Sequence, residues 1–218
     1  MPFNVSFEQQ HSSIEIIVKP TGFLGSTDNK YGTFYVWTQR VGCVPSIENT
    51  LTDAITHGNV IVFINPTQTF TDDDIQMVTG YLEHGGRVLL MDSITNQKST
   101  ANELLGSYGV WISPTTTTHT IYGANSTSDV NASVGALVTP YFSISGGTQL
   151  LLDSQNTTMA SIVEVSNQTT GELGKLVVLV DSYSFCDTVM GNTFTEPTDQ
   201  QHRLYDTEFF LFSQVLKL

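Results

Sequence analysis

Positive charge is scarce in this chain: eight Lys and Arg stand against 21 Asp and Glu, a formal charge of −13 at pH 7. Gripping a phosphate backbone takes clustered cations that displace counterions, so nucleic acid is excluded as a partner, and an anionic lipid surface with it. Charge of either sign is thin, at 13% of 218 residues against ~25% in an average soluble domain. No apolar run approaches the ~20 residues that cross a bilayer, and the opening MPFNVSFEQQ lacks a basic segment followed by an apolar one. The expectation is a chain that does not itself insert into a membrane. There are two cysteines, Cys43 and Cys186, in different halves and without the paired spacing of a zinc site. They read as buried free thiols, with a disulfide as the alternative in an oxidising setting. No P-loop, dinucleotide fingerprint or calcium loop occurs, so neither cofactor nor metal is expected.

What replaces charge is hydroxyl. Ser and Thr together fill about 50 positions, while 39% of the residues are hydrophobic, enough for a substantial core. Asn-x-Ser/Thr sequons stand at Asn4, Asn125, Asn131, Asn156 and Asn167, candidates for glycosylation. With so few lysines, they point to an extracellular or envelope-associated protein, anchored in its full-length form, with a cytoplasmic one as the alternative.

The hydrophobic pattern sets the fold. Residues 4–7 and 14–18 are short β-type runs, and 31–41 reads as a helix with Phe34, Trp37 and Val41 on one face. Ile47, Leu51 and Ile55, at intervals of four, read as a second amphipathic helix. The β-branched run 60–64 is what a strand covered on both faces looks like. The clearest helix follows: Thr71 caps it, Asp74 completes a capping box, Asp72 and Asp73 favour the positive end of the dipole, and Gly85-Gly86 ends it. RVLLMD is then a second buried strand, so 60–92 forms a βαβ unit with parallel strands. A short helix near 102–108, antiparallel strands at 149–152 and 162–165, the buried strand GKLVVLVD and a closing helix at 204–216 complete the reading. The expected architecture is a three-layer α/β sandwich with a mainly parallel, flavodoxin-like sheet. It spans 1–218 as one domain with an irregular β-rich insertion at about 114–170.

Two buried strands end in the same dipeptide, Asp92-Ser93 and Asp181-Ser182, and a third ends at Asn65-Pro66. In an open parallel sheet, ligands bind beyond the carboxyl ends of the strands, which places these residues at the expected crevice with His11, after the first strand, near the same rim. The plainer role for an Asp or Ser after a strand is to cap the next turn. Candidates for catalysis are His11, Asp92, Ser93, Asp181 and Ser182, with His202 as an alternative base; Asn65 joins the binding set. Ser93 sits in M-D-S-I-T rather than G-x-S-x-G, so it lacks a nucleophile elbow. Asp72, Asp73 and Asp74 diverge by ~100° each around a helix and cannot converge on one ion.

The stretch from Phe7 to His11, then NVIVFINPTQTFTDDDIQMVTGYLEHGGRVLLMDS, NELLGSYGV and GKLVVLVDSYSF resemble the class I glutamine amidotransferase-like family in its non-catalytic branch. That branch includes the GIFT domain of intraflagellar transport, auxiliary proteins of gliding-motility ABC transporters and ThuA-like relatives. The likeness is most specific between Val60 and Val110. It implies the same α/β fold, and it adds Glu8 to the binding set as the counterpart of the acid in an F-D-x-x-H-G-like opening; the glycine of that motif is Ser12 here. True amidotransferases place a Cys directly after the strand that here ends in Asp92-Ser93. Neither Cys43 nor Cys186 falls there, which removes glutaminase chemistry.

The sequence therefore reads as a non-enzymatic binding or assembly module with a protein or glycan partner. The alternative is a hydrolase acting on a carbohydrate or ester through the strand-end Asp and Ser residues and His11, which must then meet in an open pocket. A third reading, a carbohydrate-binding surface, would use exposed aromatics such as Trp111, Tyr122 and Tyr141.

Overall fold

A computed structural model describes residues 2–12, 14, 16, 30–113, 125–126, 142–153, 155–191 and 196–216. The continuous apolar runs form the central strands, because a strand covered on both faces needs no polar alternation. All of β3 (Val60–Ile64) is buried, as is β4 (Arg87–Asp92) after its first half-buried residue. Strand β10 (Leu173–Val180) is buried after its first, exposed residue. With β1 (Asn4–Glu8) and β2 (Val44–Glu48) they run parallel in the order β2-β1-β3-β4-β10, the doubly wound arrangement in which the chain moves outward in both directions from β1. The sheet continues antiparallel through β9 (Thr158–Ser166), β8 (Thr148–Leu152) and the short β6 (Asn125–Ser126), giving eight strands. The second half of the expected insertion thus extends the main sheet. A separate antiparallel pair joins β5 (Trp111–Ile112) to β7 (Ile144–Ser145). The rest of the turn-rich stretch lies outside the described residues.

Helices α1 (Gly32–Arg40), α5 (Asp187–Met190) and α6 (Asp199–Leu216) pack on one face, and α2 (Leu51–His57) and α3 (Asp72–Glu83) on the other. The fold is a three-layer α/β sandwich. Helix α3 forms as its sequence dictates: the Thr71 hydroxyl accepts the Asp74 N–H at 3.2 Å, the Asp74 carboxylate accepts the Thr71 N–H at 2.9 Å, and Gly85 leaves the helix at φ +78°. On the other face, α1 and α6 meet through Trp37, which stacks on Tyr205 at 4.0 Å and carries the Arg40 guanidinium 4.1 Å above its ring.

Two local expectations change. The 47–55 stretch is not one helix: Ile47 belongs to β2, and α2 begins only after Thr50, whose side chain accepts the Asp53 N–H at 3.1 Å. The four-residue spacing of Ile47, Leu51 and Ile55 spans a strand, a cap and a helix by coincidence. Of the 14–18 run, only Ile14 and Ile16 are described, and neither is in a strand. The short helix near 102–108 is α4 (Ala101–Leu105) followed by a 3-10 turn.

The outer edge of β2 has a defined chemistry. The Val44 N–H donates inward to Phe3 O at 2.8 Å and Glu48 O accepts inward from the Gln9 N–H at 2.9 Å. By alternation the backbone of Pro45 and Ile47 faces outward, so one outward position has no N–H to offer, and the Pro45 carbonyl accepts the Tyr35 hydroxyl at 2.8 Å. Among the described residues no helix is long and apolar enough to cross a membrane.

Candidate functional site: the carboxyl rim of the sheet

In this topology the crevice opens between the tips of β1 and β3, where the chain order reverses. Here the chain's own segment after β1 crosses it. Ser12 bridges to Pro66, its hydroxyl accepts the Ile64 N–H at 3.1 Å, and the His11 carbonyl accepts the Thr67 N–H at 2.9 Å. Glu8 is the anchor of this strap. Both of its carboxylate oxygens accept the His11 backbone N–H at 3.0 Å, and Oε1 also faces the His11 ring Nδ1 at 2.9 Å. The opposite ring nitrogen, Nε2, lies 3.5 Å from Asp74 Oδ2, so the capping residue of α3 closes a buried carboxylate–imidazole–carboxylate line. The ring stacks flat on Phe70, 4.1 Å away and 3° from parallel, and His11 keeps only 1% of its surface exposed. Burial pulls the His11 pKa down, but the hydrogen bond and charge of Glu8, with Asp74 behind them, outweigh it and raise it above 6.5. Asp74 is also partly desolvated, yet its bonds from Thr71 and the facing imidazole hold its carboxyl below the ordinary range. Glu8, His11 and Asp74 thus form one closed unit.

A second cluster crosses the tips of β3, β4 and β10. The Asn65 side-chain oxygen accepts the Ser182 hydroxyl at 2.6 Å and lies 3.5 Å from the Ser93 hydroxyl, while its amide donates to the Tyr31 phenol at 3.1 Å. Asn65 adopts φ +49°, a left-handed conformation that asparagine tolerates better than most residues. Ser93 also meets the Thr95 hydroxyl at 2.6 Å. Burial pushes the Tyr31 phenol well up, against the opposing bonds from Ser182 and Asn65, so it stays neutral.

The two strand-end carboxylates turn to their own loops. Asp92 is fully buried; its Oδ1 accepts the Ser93 N–H and the Asn96 side-chain amide, each at 2.9 Å, and its Oδ2 accepts the Ser99 hydroxyl. Burial raises its pKa to about 6, although all three donors pull it down. Asp181, also fully buried, caps the 3-10 turn that follows it, accepting the Ser184 N–H at 3.3 Å and the Ser184 hydroxyl at 2.5 Å. The described bonds therefore tie His11, Asp92 and Asp181 to three different sets of partners. Beside the β4 tip, above Asp92, opens a cleft of about 420 Å³ bounded by Asn96, Gln97, Ser99, Ile112 and Phe142.

The structure thus groups the sequence candidates as Glu8 with His11, and Asn65 with Ser93 and Ser182, leaving Asp92 and Asp181 as loop anchors. Sequence reasoning missed Tyr31, Phe70 and the Asn96–Ser99 loop, and it took Asp74 for a helix cap alone. The polar run after Asp92, S-I-T-N-Q-K-S, carried the signal for that loop. Cys43 and Cys186 are buried free thiols whose pKa values are raised first by desolvation. Of the sequons, Asn4 and Asn156 are exposed, and Asn167 is half-buried, its side chain accepting the Thr169 N–H at 2.8 Å. The side chains of Asn125 and Asn131 lie outside the described residues, as do Tyr122 and Tyr141, whereas Trp111 is half exposed on β5. Among the described residues no group of three or more His, Cys, Asp or Glu is placed to hold a metal.

No protein-family profile matches the chain, and no curated protein sequence matches it. Solved structures do. The mmIFT52 N-terminal domain superimposes with a TM-score of 0.65 at 16% identity, covering 98% of both chains. An exo-β-1,4-mannosidase from Opitutaceae bacterium strain TAV5 aligns with 99% of this chain at a TM-score of 0.52 and 12% identity, but this chain spans only 36% of that enzyme. A cytoplasmic protein from Salmonella typhimurium aligns at a TM-score of 0.52 and 11% identity, over 82% of this chain and 87% of its own. At these identities the likeness is one of fold: this chain shares the layered α/β architecture of all three.

Proposed function

We propose that the protein is a non-enzymatic binding or assembly module of a surface or envelope-associated protein, on the lines of the non-catalytic amidotransferase-like branch. The observation that carries this reading is the sealed state of His11. Its two ring nitrogens face Glu8 and Asp74 and its ring lies flat on Phe70, so the base that a nucleophilic or acid–base mechanism needs is spent on holding the strap. The rim residue after β4 is Ser93, hydrogen-bonded to Thr95 rather than to an imidazole. The match over 98% of both chains to a structure described as an N-terminal domain supports reading this chain as one domain-sized module. The exposed sequons at Asn4 and Asn156 support a surface location, with a protein or glycan as partner.

A hydrolase is the second reading, and one observation favours it: Asp92, with its pKa near 6, lies under an open cleft. Two carboxylates in unlike environments would be required there, and Asp92 is the sole carboxylate among the described residues that bound the cleft. The deciding experiment is an assay of the purified protein on p-nitrophenyl esters and p-nitrophenyl glycosides. Rates equal to buffer are expected. Turnover that disappears in Asp92→Asn or His11→Gln, with folding intact by circular dichroism, overturns the binding-module reading.

A further inference from the structure

The strap fills the crevice between β1 and β3, but the cleft at the β4 tip stays open, and its walls are fixed before any ligand arrives. The Asn102 side chain holds β5 at two points, donating to Ile112 O at 2.9 Å and accepting the Ile112 N–H at 2.8 Å. Asn96 is fixed from behind, its amide donating to Pro66 O at 3.0 Å and to Asp92 at 2.9 Å. Both of these bonds use the amide nitrogen, and among the described residues no bond takes the carboxamide oxygen, which is an acceptor. Ser99 is set in the same way by Asp92 and by the Ala101 N–H at 3.2 Å. Preorganised walls of this kind lower the entropic cost of binding.

The chemistry of the lining narrows the ligand. Among the described residues no Lys, Arg or His bounds the cleft, so a phosphate or carboxylate would meet no counter-charge from them, in a chain that already carries −13. A cation is equally unmatched: the only charged group among the described lining residues, Asp92, has no exposed surface and already receives three hydrogen bonds. What remains is neutral. The described lining combines the side-chain amides of Asn96 and Gln97 and the Ser99 hydroxyl with the apolar side chains of Ile94, Ile112 and Phe142. Amide and hydroxyl groups beside apolar side chains match a ring with vicinal hydroxyls on its edge and C–H groups on its face. The volume of about 420 Å³ lies at the small end of the ~300–1,000 Å³ range of ligand pockets, the size of one or two sugar units.

We propose that the β4-tip cleft binds a neutral sugar, a pyranose unit of a glycan, through Asn96, Gln97 and Ser99 against Ile112 and Phe142. The proposal rests on the binding-module reading and names the ligand class of that module. It is tested by titrating the 15N-labelled protein with D-mannose, D-galactose and D-glucose into the millimolar range and following the amide resonances, with sodium phosphate and trimethylammonium chloride as controls. At least one sugar should give saturable shifts confined to residues 94–102, 112–113 and 142. Gln97→Ala, an exposed position, and Phe142→Ala should each weaken that binding by about fivefold to tenfold, the loss of one hydrogen bond or one apolar contact. Shifts absent for all three sugars, located elsewhere, or larger with phosphate or trimethylammonium overturn the proposal. The same sugars offered as p-nitrophenyl glycosides separate the two readings: turnover overturns the non-enzymatic function while supporting the ligand class, and absent sugar shifts without turnover overturn the ligand class alone.

Discussion

Asn65 and Ser182 share a 2.6 Å hydrogen bond across the tip of β4, which joins β3 to β10 although the two strands are not neighbours in the sheet. The bond locks three strand ends into one rim, with Tyr31 attached through the Asn65 amide. Asn65→Ala should cost about 2–3 kcal/mol, from left-handed backbone strain plus lost side-chain bonds. Asn65→Gly relieves the strain but not the lost bonds and should cost less. Urea unfolding of both variants checks this; equal losses would mean that the φ of +49° contributes nothing.

The His11 line predicts a pH response with a definite sign. The folded-state pKa of His11 is raised, so its stabilisation is fully present below pH ~6.5 and is lost as pH rises through the folded value. Asp74 works in the opposite window: its carboxyl is lowered, so its contribution is present above the ordinary carboxylate range and disappears as pH falls through its folded value. An NMR titration of the His11 ring should show a midpoint above 6.5, shifted downward in Asp74→Asn. That variant also weakens the α3 cap, at about 1 kcal/mol.

Glu208 on α6 is fully buried, with Oε1 3.5 Å from the Thr38 hydroxyl and Oε2 without a hydrogen-bond partner among the described residues. Burial raises its pKa well above 4.5, so the folded state holds its proton longer than the unfolded chain and stability falls as pH climbs. Asp92, at about 6, acts in the same direction. Glu208→Met should stabilise the protein by about 1–3 kcal/mol by removing the unpartnered oxygen, with a larger gain at pH 8 than at pH 4. Thr38 is not orphaned, because its hydroxyl also donates to Phe34 O at 3.0 Å. Thermal melts at the two pH values decide the matter.

At Gly174 the start of β10 runs close against the end of α3. A Cβ there would lie 2.1 Å from the Leu82 carbonyl oxygen and 2.8 Å from Gly86 O, both backbone atoms that cannot swing aside. Gly174→Ala should therefore destabilise by about 1–3 kcal/mol or more, the cost of overpacking. A melting temperature equal to the parent's would show that α3 shifts freely on the sheet.

Thiol chemistry offers a simpler check. Cys43 and Cys186 are buried and burial raises both pKa values, so neither should react with Ellman's reagent in the native protein. Both should react at once in guanidinium chloride. Rapid native labelling would place a thiol at the surface.

The scaffold was legible where local physics decides it. The run 60–64, the Thr71–Asp74 cap and the strand ending at Asp181 each carry their structure within a few residues. Strand β2 was not, because Pro45 and the exposed Ile47 break the expected pattern, although Thr50 and Asp53 offered a cap signal for the start of α2. The rim was half legible. Strand order places Asn65, Ser93 and Ser182 together, but the meeting of His11 with Asp74 and Phe70 depends on how the strap folds across β3, and no periodicity reports that.

The proline at position 45 has a consequence for life at high concentration. A sheet built from greasy, β-branched strands invites neighbouring molecules to stack on at its β2 margin, but there a docking strand would meet no N–H at Pro45 and a Pro45 carbonyl already taken by the Tyr35 hydroxyl. Replacing that residue with valine would restore the missing donor and should raise the tendency to fibrous self-association.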